Sequence, residues 1–305
     1  MVASPSPESA IRFTADVQRA RDAGRPVVAL ESSVLAQGLP IPANAEAARR
    51  MTHAIESAGA VAAVTAVVRG VPTAGLTPDE LARFLRREGV VKAAARDLPI
   101  AMANGVDAAT TVAASLVICR AAGIQVFATG GIGGMHRGLS RDESADLIEL
   151  SRTPVIAVCA GAKSILDIPA TLERLETLSV TVLGFETDEF PGFLATSTGR
   201  RVPVARDVDD IVSVFRNQRR LGMSGTVLVV QRPPAESALP REVVDGAVER
   251  ALREVQEAGV TGSAVTPFLL AAIDRATEGQ SLTTNIALLE ANARLAGHIA
   301  FALSG

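Results

Sequence analysis

The chain has no tryptophan, no tyrosine, two cysteines and, among 30 basic residues, only two lysines, Lys92 and Lys163. Each scarcity excludes something. Nine phenylalanines in 305 residues are the whole aromatic complement, which leaves little to stack on exposed bases. A net charge of −3 with mixed signs gives no basic footprint for a nucleic acid polymer. Cys119 falls in an apolar helical run and Cys159 in a strand; separated thiols of this kind read as core filler in a reducing compartment, not as a disulfide or zinc site. The opening MVASPSPESAIRF lacks the basic-then-apolar pattern of a signal peptide. The longest apolar stretch, around 108–119, is too short to span a bilayer. A cytoplasmic protein with small-molecule partners and no membrane association is expected.

The shortage of lysine is the most informative. Arginine stays protonated and cannot act as an amine nucleophile, whereas lysine can be tuned to neutrality and form an imine. A chain that uses arginine wherever charge suffices has kept lysine at two places. Lys163 lies in TPVIAVCAGAKSILD (153–167), just past a β-branched strand that breaks at Ala160-Gly161, where apolar surroundings disfavour an ammonium. It is the first candidate for chemistry. Lys92 is either a solvated surface charge or, given its rarity, functional.

Hydrophobic content of 48% and charged content of 21% suit a sizeable folded core. The pattern predicts a helix over 7–23 ended by Gly24, a strand over 26–30, a helix from Ala43 or Asn44 to about 58, and a strand over 61–68. Thr77-Pro78-Asp79-Glu80 starts another helix, with capping-box spacing and proline at the first position. Asp107 is expected to cap a helix through Ala122 that Gly123 ends. There follow strands at 125–129, 155–159, 180–185, 202–205 and 226–230, and helices at 140–152, 169–178 and 208–221. The helices that close the chain begin with an apolar stripe at Val244, Val248, Leu252 and Val255 and continue over 266–276 and 281–303. This alternation predicts an α/β fold, three-layer α/β/α with a central mostly parallel sheet, as a single domain over 1–305.

Ligands of open α/β sheets bind beyond the carboxyl ends of the strands, and the unusual residues gather there. Glu31 follows the first strand, where burial would suit it to general-acid work; an ion pair with an arginine is the alternative. The cluster TGGIGGMHRG (129–138) could wrap an anion with backbone N–H groups, helped by His136 and Arg137, or form a tight turn needing positive φ. It is no dinucleotide fingerprint, because His136 stands where the third glycine would fall. In RDESAD (141–146), Asp142 and Asp146 lie four apart, as on one helical face, where they could hold a hard cation. Acidic enrichment at a helix N-terminus is the plainer reading. His53 and His298 read as structural.

The blocks ALESSVLAQGLP (29–40), RDLP (96–99), NGVDAATTVAASL (104–116), FATGGIGGMHRG (127–138), ESADLIELSRTPVIAVCAGAKSILD (143–167) and SLTTNIALLEANARLA (281–296) closely resemble the signature blocks of the pseudouridine-5'-phosphate glycosidase family, which is related to the indigoidine synthase A proteins. The resemblance implies reversible cleavage of the C–C glycosidic bond of pseudouridine 5'-phosphate to uracil and ribose 5-phosphate, a divalent metal, usually Mn²⁺, and a homotrimer. It makes Lys163 the nucleophile that forms an imine with C1' of the opened ribose, and Glu31 the acid/base that assists ring opening. It puts Asp142 at the metal-ligand position. Lys92, Val112, Ser144, Ala145 and Asp146 fall at substrate-binding positions, with His136 and Asn285 helping to hold phosphate or base. The segment between Gly138 and Ser144 is shorter than the family's usual form, so Glu143 or Asp146 could share the metal.

The chemistry agrees with that resemblance. Ordinary glycosidases protonate a leaving heteroatom with a carboxyl group, and a C–C glycosidic bond has none. A lysine imine supplies the missing electron sink. Rival readings are a class I aldolase-like lyase, a biosynthetic indigoidine synthase A relative, and a non-catalytic sugar-phosphate binding protein.

Overall fold

The computed structural model describes residues 11–137, 142–260 and 265–305. In chain order the strands are β1 (Arg12–Phe13), β2 (Val27–Leu30), β3 (Val61–Val68), β4 (Val71–Ala74), β5 (Val90–Ala93), β6 (Asp107–Thr110) and β7 (Val126–Ala128). They continue with β8 (Met135–His136), β9 (Ile156–Cys159), β10 (Leu166–Asp167), β11 (Thr181–Phe185), β12 (Val204–Ala205) and β13 (Val227–Val230). The helices are α1 (Ala15–Asp22), α2 (Ala43–Ser57), α3 (Pro78–Arg86), α4 (Leu98–Ala103), α5 (Val112–Ala122) and α6 (Ala145–Arg152). After these come α7 (Ile168–Thr177), α8 (Val208–Arg220), α9 (Arg241–Ala258), α10 (Val265–Ala276) and α11 (Gln280–Ser304).

The main sheet runs β1-β4-β3-β2-β7-β9-β13-β11-β12, with β6 also on β3 and β5 on β6. From β3 to β12 every pair is parallel, while β4 and β6 run antiparallel to β3. The α/β fold with a mostly parallel sheet is therefore as expected, with a mixed edge. Val28–Leu30 and all of β7, β9 and β13 are buried. Successive buried residues in a strand require cover on both faces. Helices α2, α8 and α11 pack together and onto β2, β3, β7, β9 and β13, while α5 packs on β2 to β4 and α6. Helix α11 is long and apolar enough to cross a membrane by composition, yet half of its apolar window is buried inside the molecule; it is a core helix.

After β2 the chain continues to β3 on one side, and from β7 it continues to β9 on the other. The gap beyond the ends of β2 and β7 is thus a topological switch point, where open sheets leave a crevice.

Several boundaries differ from expectation, each for a local reason. The first helix shrinks to α1, because Arg12 and Phe13 pair with Thr73 and Ala74 of β4; residues 7–10 of that expected helix lie outside the described residues. Asp107 does not cap α5. It opens β6, accepts the Arg69 N–H and pairs with Arg83, and the Thr111 hydroxyl caps α5 instead. Strands β4 and β5 and helix α4 were not expected. The helix expected from Ser140 begins at Ala145; Gly138, Ser140 and Arg141 lie outside the described residues. Thr77 and Glu80 do form the capping box, with the Glu80 N–H on Thr77 Oγ1 at 3.3 Å and the Thr77 N–H on Glu80 Oε2 at 2.9 Å.

Candidate active site

Glu31, one residue past β2, is 3% exposed. Its partners are hydroxyls rather than an arginine: Thr129 donates to Oε1 at 2.7 Å and Ser33 to Oε2 at 3.1 Å. Burial pushes its carboxyl above the usual carboxylate range, with the nearby Asp146 charge adding and Lys163, Thr129 and Ser33 opposing. Such an upward shift at a strand end suits a carboxyl to giving up a proton in a reaction. Ser32 beside it ties the strand end down, donating to the Thr65 carbonyl at 2.7 Å and accepting the Thr110 N–H at 2.9 Å.

Lys163 sits in the loop after β9, and main-chain bonds hold that loop. Its N–H donates to the Ile132 carbonyl at 3.1 Å, while the Ile132 N–H donates to the Gly161 carbonyl at 3.0 Å. Arg137 donates to the Ser164 and Leu166 carbonyls, both at 3.0 Å. Gly161 has φ +91°, and a Cβ there would stand 2.5 Å from the Pro191 carbonyl oxygen. The turn that delivers Lys163 therefore requires glycine. Cys159, which ends β9, and Cys119 are buried, and burial pushes both thiols up to about 12, which disfavours the reactive thiolate.

The acidic stretch is reorganised relative to expectation. Asp142 lies outside helix α6 and is exposed, so it shares no helical face with Asp146. Glu143 pairs with Arg174 at 2.7 Å. Asp146, 5% exposed, is turned inward and accepts the Ala113 N–H and the Gly133 N–H, each at 2.8 Å. Its carboxylate joins the first turn of α5 to the glycine loop. No cluster of three His, Cys, Asp or Glu that could hold a metal occurs among the described residues, and of this stretch's carboxylates Asp142 is the exposed one.

The described part of the glycine loop is built differently from a positive-φ turn, and three of its N–H groups are engaged within the protein. None of Gly130, Gly131, Gly133 and Gly134 has positive φ. The N–H groups of Gly133, Met135 and His136 go to Asp146, Thr171 Oγ1 and the Asp142 carbonyl, so the loop does not wrap an anion with them. Close approach explains the composition: a Cβ on Gly133 would lie 2.2 Å from Ser144 Oγ. Arg137 ties down the Lys163 loop.

One cavity of about 140 Å³ is lined by Glu31, Lys92, Val112, His136, Ser144, Ala145, Asp146 and Lys163. An adjoining space of about 40 Å³ shares Glu31, Lys92 and Lys163 and adds Asn285. The residues that open α5 and α6, Val112 and Ala145, thus face the cavity, and the first N–H groups of a helix have no intrahelical acceptor. Lys92 is exposed, yet the protein packed around its ammonium and the Lys163 charge push it below the usual lysine range, against Glu31 and Asp146. Of the residues expected in the site, Asp142, Glu143 and Arg137 line neither space. His53 and His298 are exposed and outside both.

Sequence reasoning did not single out Thr129, Ser33, Gln37 or Phe193. Thr129 and Ser33 hold Glu31, while Gln37 and Phe193 wall the space beside Lys163. Their positions within quoted blocks were the available signal for Ser33, Gln37 and Thr129; nothing local marks Phe193.

The chain matches the family model described as indigoidine synthase A like protein over residues 16–302. It is 59% identical over 293 residues to the pseudouridine-5'-phosphate glycosidase of Gemmatimonas aurantiaca, covering 96% of each chain. It is 50% identical over 300 residues to that of a Roseiflexus species, covering 97% of this chain and 96% of the relative. Among solved structures it is similar to an indigoidine synthase A-like protein of Thermotoga maritima, with a TM-score of 0.89, 37% identity and 97% of both chains covered. It is also similar to a prealnumycin C-glycosynthase solved with ribulose 5-phosphate, with a TM-score of 0.90, 36% identity and 98% of both chains covered.

Proposed function

The chain belongs to the pseudouridine-5'-phosphate glycosidase family of indigoidine synthase A-like proteins, and we propose that it reversibly cleaves pseudouridine 5'-phosphate to uracil and ribose 5-phosphate. The observation that carries this reading is one cavity holding a buried, hydroxyl-bound Glu31 with both lysines of the chain.

Glu31 delivers a proton to the ring oxygen of the ribose as the C1'–O4' bond opens. The amine of Lys163 bonds to C1'. The adduct nitrogen gives a proton to the Glu31 carboxylate, and its lone pair then drives the C1'–C5 bond to break as Glu31 passes that proton to the uracil carbon, leaving an imine between Lys163 and C1'. Water releases ribose 5-phosphate and returns the amine. Lys92 and His136, which line the cavity, hold the phosphate, a remote handle whose binding energy orients the reacting end. A divalent cation such as Mn²⁺ would be held by the exposed Asp142 carboxylate, a single-carboxylate set that hard cations complete with phosphate oxygens and water. Bound there, it would offset the substrate's negative charge. The protein assembles as a homotrimer.

The test is to mix purified protein with uracil, ribose 5-phosphate and Mn²⁺ and to look by chromatography and mass for the C-linked nucleotide. Product from the wild type and none from Lys163→Ala, with the variant folded, is the expected result. No product from a folded, metal-loaded wild type would overturn the reading and leave an aldolase-like lyase. Mass measurement in solution tests the trimer.

A further inference from the structure

Among the described residues, the side-chain polar atoms that are buried without a hydrogen-bond partner are Gln37 Oε1 and Asn285 Oδ1. Both residues line the small space that also holds Glu31, Lys92 and Lys163. Both also line the neighbouring cavity of about 390 Å³ under α10 and α11. A buried acceptor left unpaired is costly and rare in folded proteins. Two in one small space point to a ligand that brings donors.

The orientation of Gln37 follows from the fold. It lies in a π-helical segment, Val34–Gly38, closed by the Leu39 N–H on the Val34 carbonyl at 3.0 Å. Such segments gather at functional sites. Gln37 Nε2 donates to the Val90 carbonyl at 3.5 Å, which sets Oε1 as the free end of the amide. Asn285 comes from the other side, on α11, two turns before Asn292 on the same face. Asn292 is occupied: its Nδ2 donates to the Thr129 carbonyl at 2.8 Å.

We propose that Gln37 reads the nucleobase, its Oε1 accepting one ring N–H of a pyrimidine-2,4-dione while Asn285 Oδ1 accepts the other. The assignment rests on the reaction proposed above and adds a source of base selectivity to it. Uracil, free or linked through carbon, has both N1–H and N3–H. An N1-linked pyrimidine has lost the first, and cytosine turns a lone pair outward at N3. Two acceptors facing the base therefore favour a carbon-linked dione and leave themselves unpaired against the others, a loss sites use to discriminate.

The experiment compares wild type with Gln37→Met, which keeps the volume and removes the acceptor, in the synthetic direction with uracil and ribose 5-phosphate. The expected result is a KM for uracil raised about tenfold, an unchanged KM for ribose 5-phosphate, and a Tm that changes little, because the loss of the long Nε2 bond to the Val90 carbonyl is offset by removal of an unpaired buried atom. An unchanged KM for uracil alongside wild-type turnover overturns this assignment alone. So does a fall in Tm with both KM values raised together, the mark of a structural residue. A wild type that neither makes nucleotide nor binds uracil by calorimetry overturns the assignment and the proposed reaction together.

Discussion

The Thr129 hydroxyl donates to Glu31 Oε1 at 2.7 Å across the ends of two neighbouring strands. Leu30 and Ala128, the residues just before them, are register partners in the sheet. Parallel pairing thus puts a hydroxyl donor and a carboxyl group, 98 positions apart in sequence, side by side. The bond favours the charged carboxylate, and burial disfavours it more strongly.

Thr129→Val should therefore raise the pKa of Glu31 further. If Glu31 gives its proton to the sugar, activity falls as pH rises through that pKa. The descending limb of the pH–rate profile should move to higher pH in the variant. An unmoved limb with normal folding would show that another group sets it.

Glu31→Gln should lower kcat by about 10²–10⁴, the usual worth of a positioned acid. Because the folded-state pKa of Glu31 is raised above its reference of 4.5, its neutral form stabilises the fold fully below that reference. That contribution is lost as pH rises through the folded value. The variant should gain Tm relative to wild type at neutral pH and lose this advantage below about pH 4.5; a constant difference across pH would count against the burial argument.

Lys163→Arg should be as inactive as Lys163→Ala, because the requirement is a nucleophilic amine and not a charge. Borohydride with ribose 5-phosphate should add mass to the wild type alone. Trapping on Lys92 in a Lys163 variant would reassign the nucleophile.

The two aspartates should separate cleanly. Asp142→Asn should raise the Mn²⁺ concentration needed for half-maximal activity with Tm unchanged. Asp146→Asn sets a donor amide against one of two N–H groups and should cost about 1–3 kcal/mol of stability. Denaturant melts and metal titrations of both variants check the pair.

Gly161→Ala should destabilise by about 1–3 kcal/mol through its φ alone, and by more through the Pro191 contact. Because the same turn delivers Lys163, turnover should fall with it. A stable, active variant would show that the loop can be rebuilt.

Much of this was legible in the residues. The alternation of β-branched runs and amphipathic stretches is local, so strands β2, β3, β7, β9 and β13 and most helices could be read from period and punctuation. The mixed edge could not: the short β4 and β5 exist because β3 and β6 supply their partners. The rarity of lysine and the position of Glu31 after a strand pointed to the site without any contact being known.

The sequence by itself determined the α/β order, the strand ends that carry Glu31 and Lys163, and which residue types could do imine chemistry. Only the tertiary structure decided how those ends are wired. The Ala113 and Gly133 N–H groups take Asp146, Arg137 takes the Lys163 loop, and Gln37 and Asn285 are left with free acceptors. Periodicity is set by neighbours a few residues apart, whereas each buried polar atom finds its partner, or fails to, among groups that only the closed fold brings within hydrogen-bond reach.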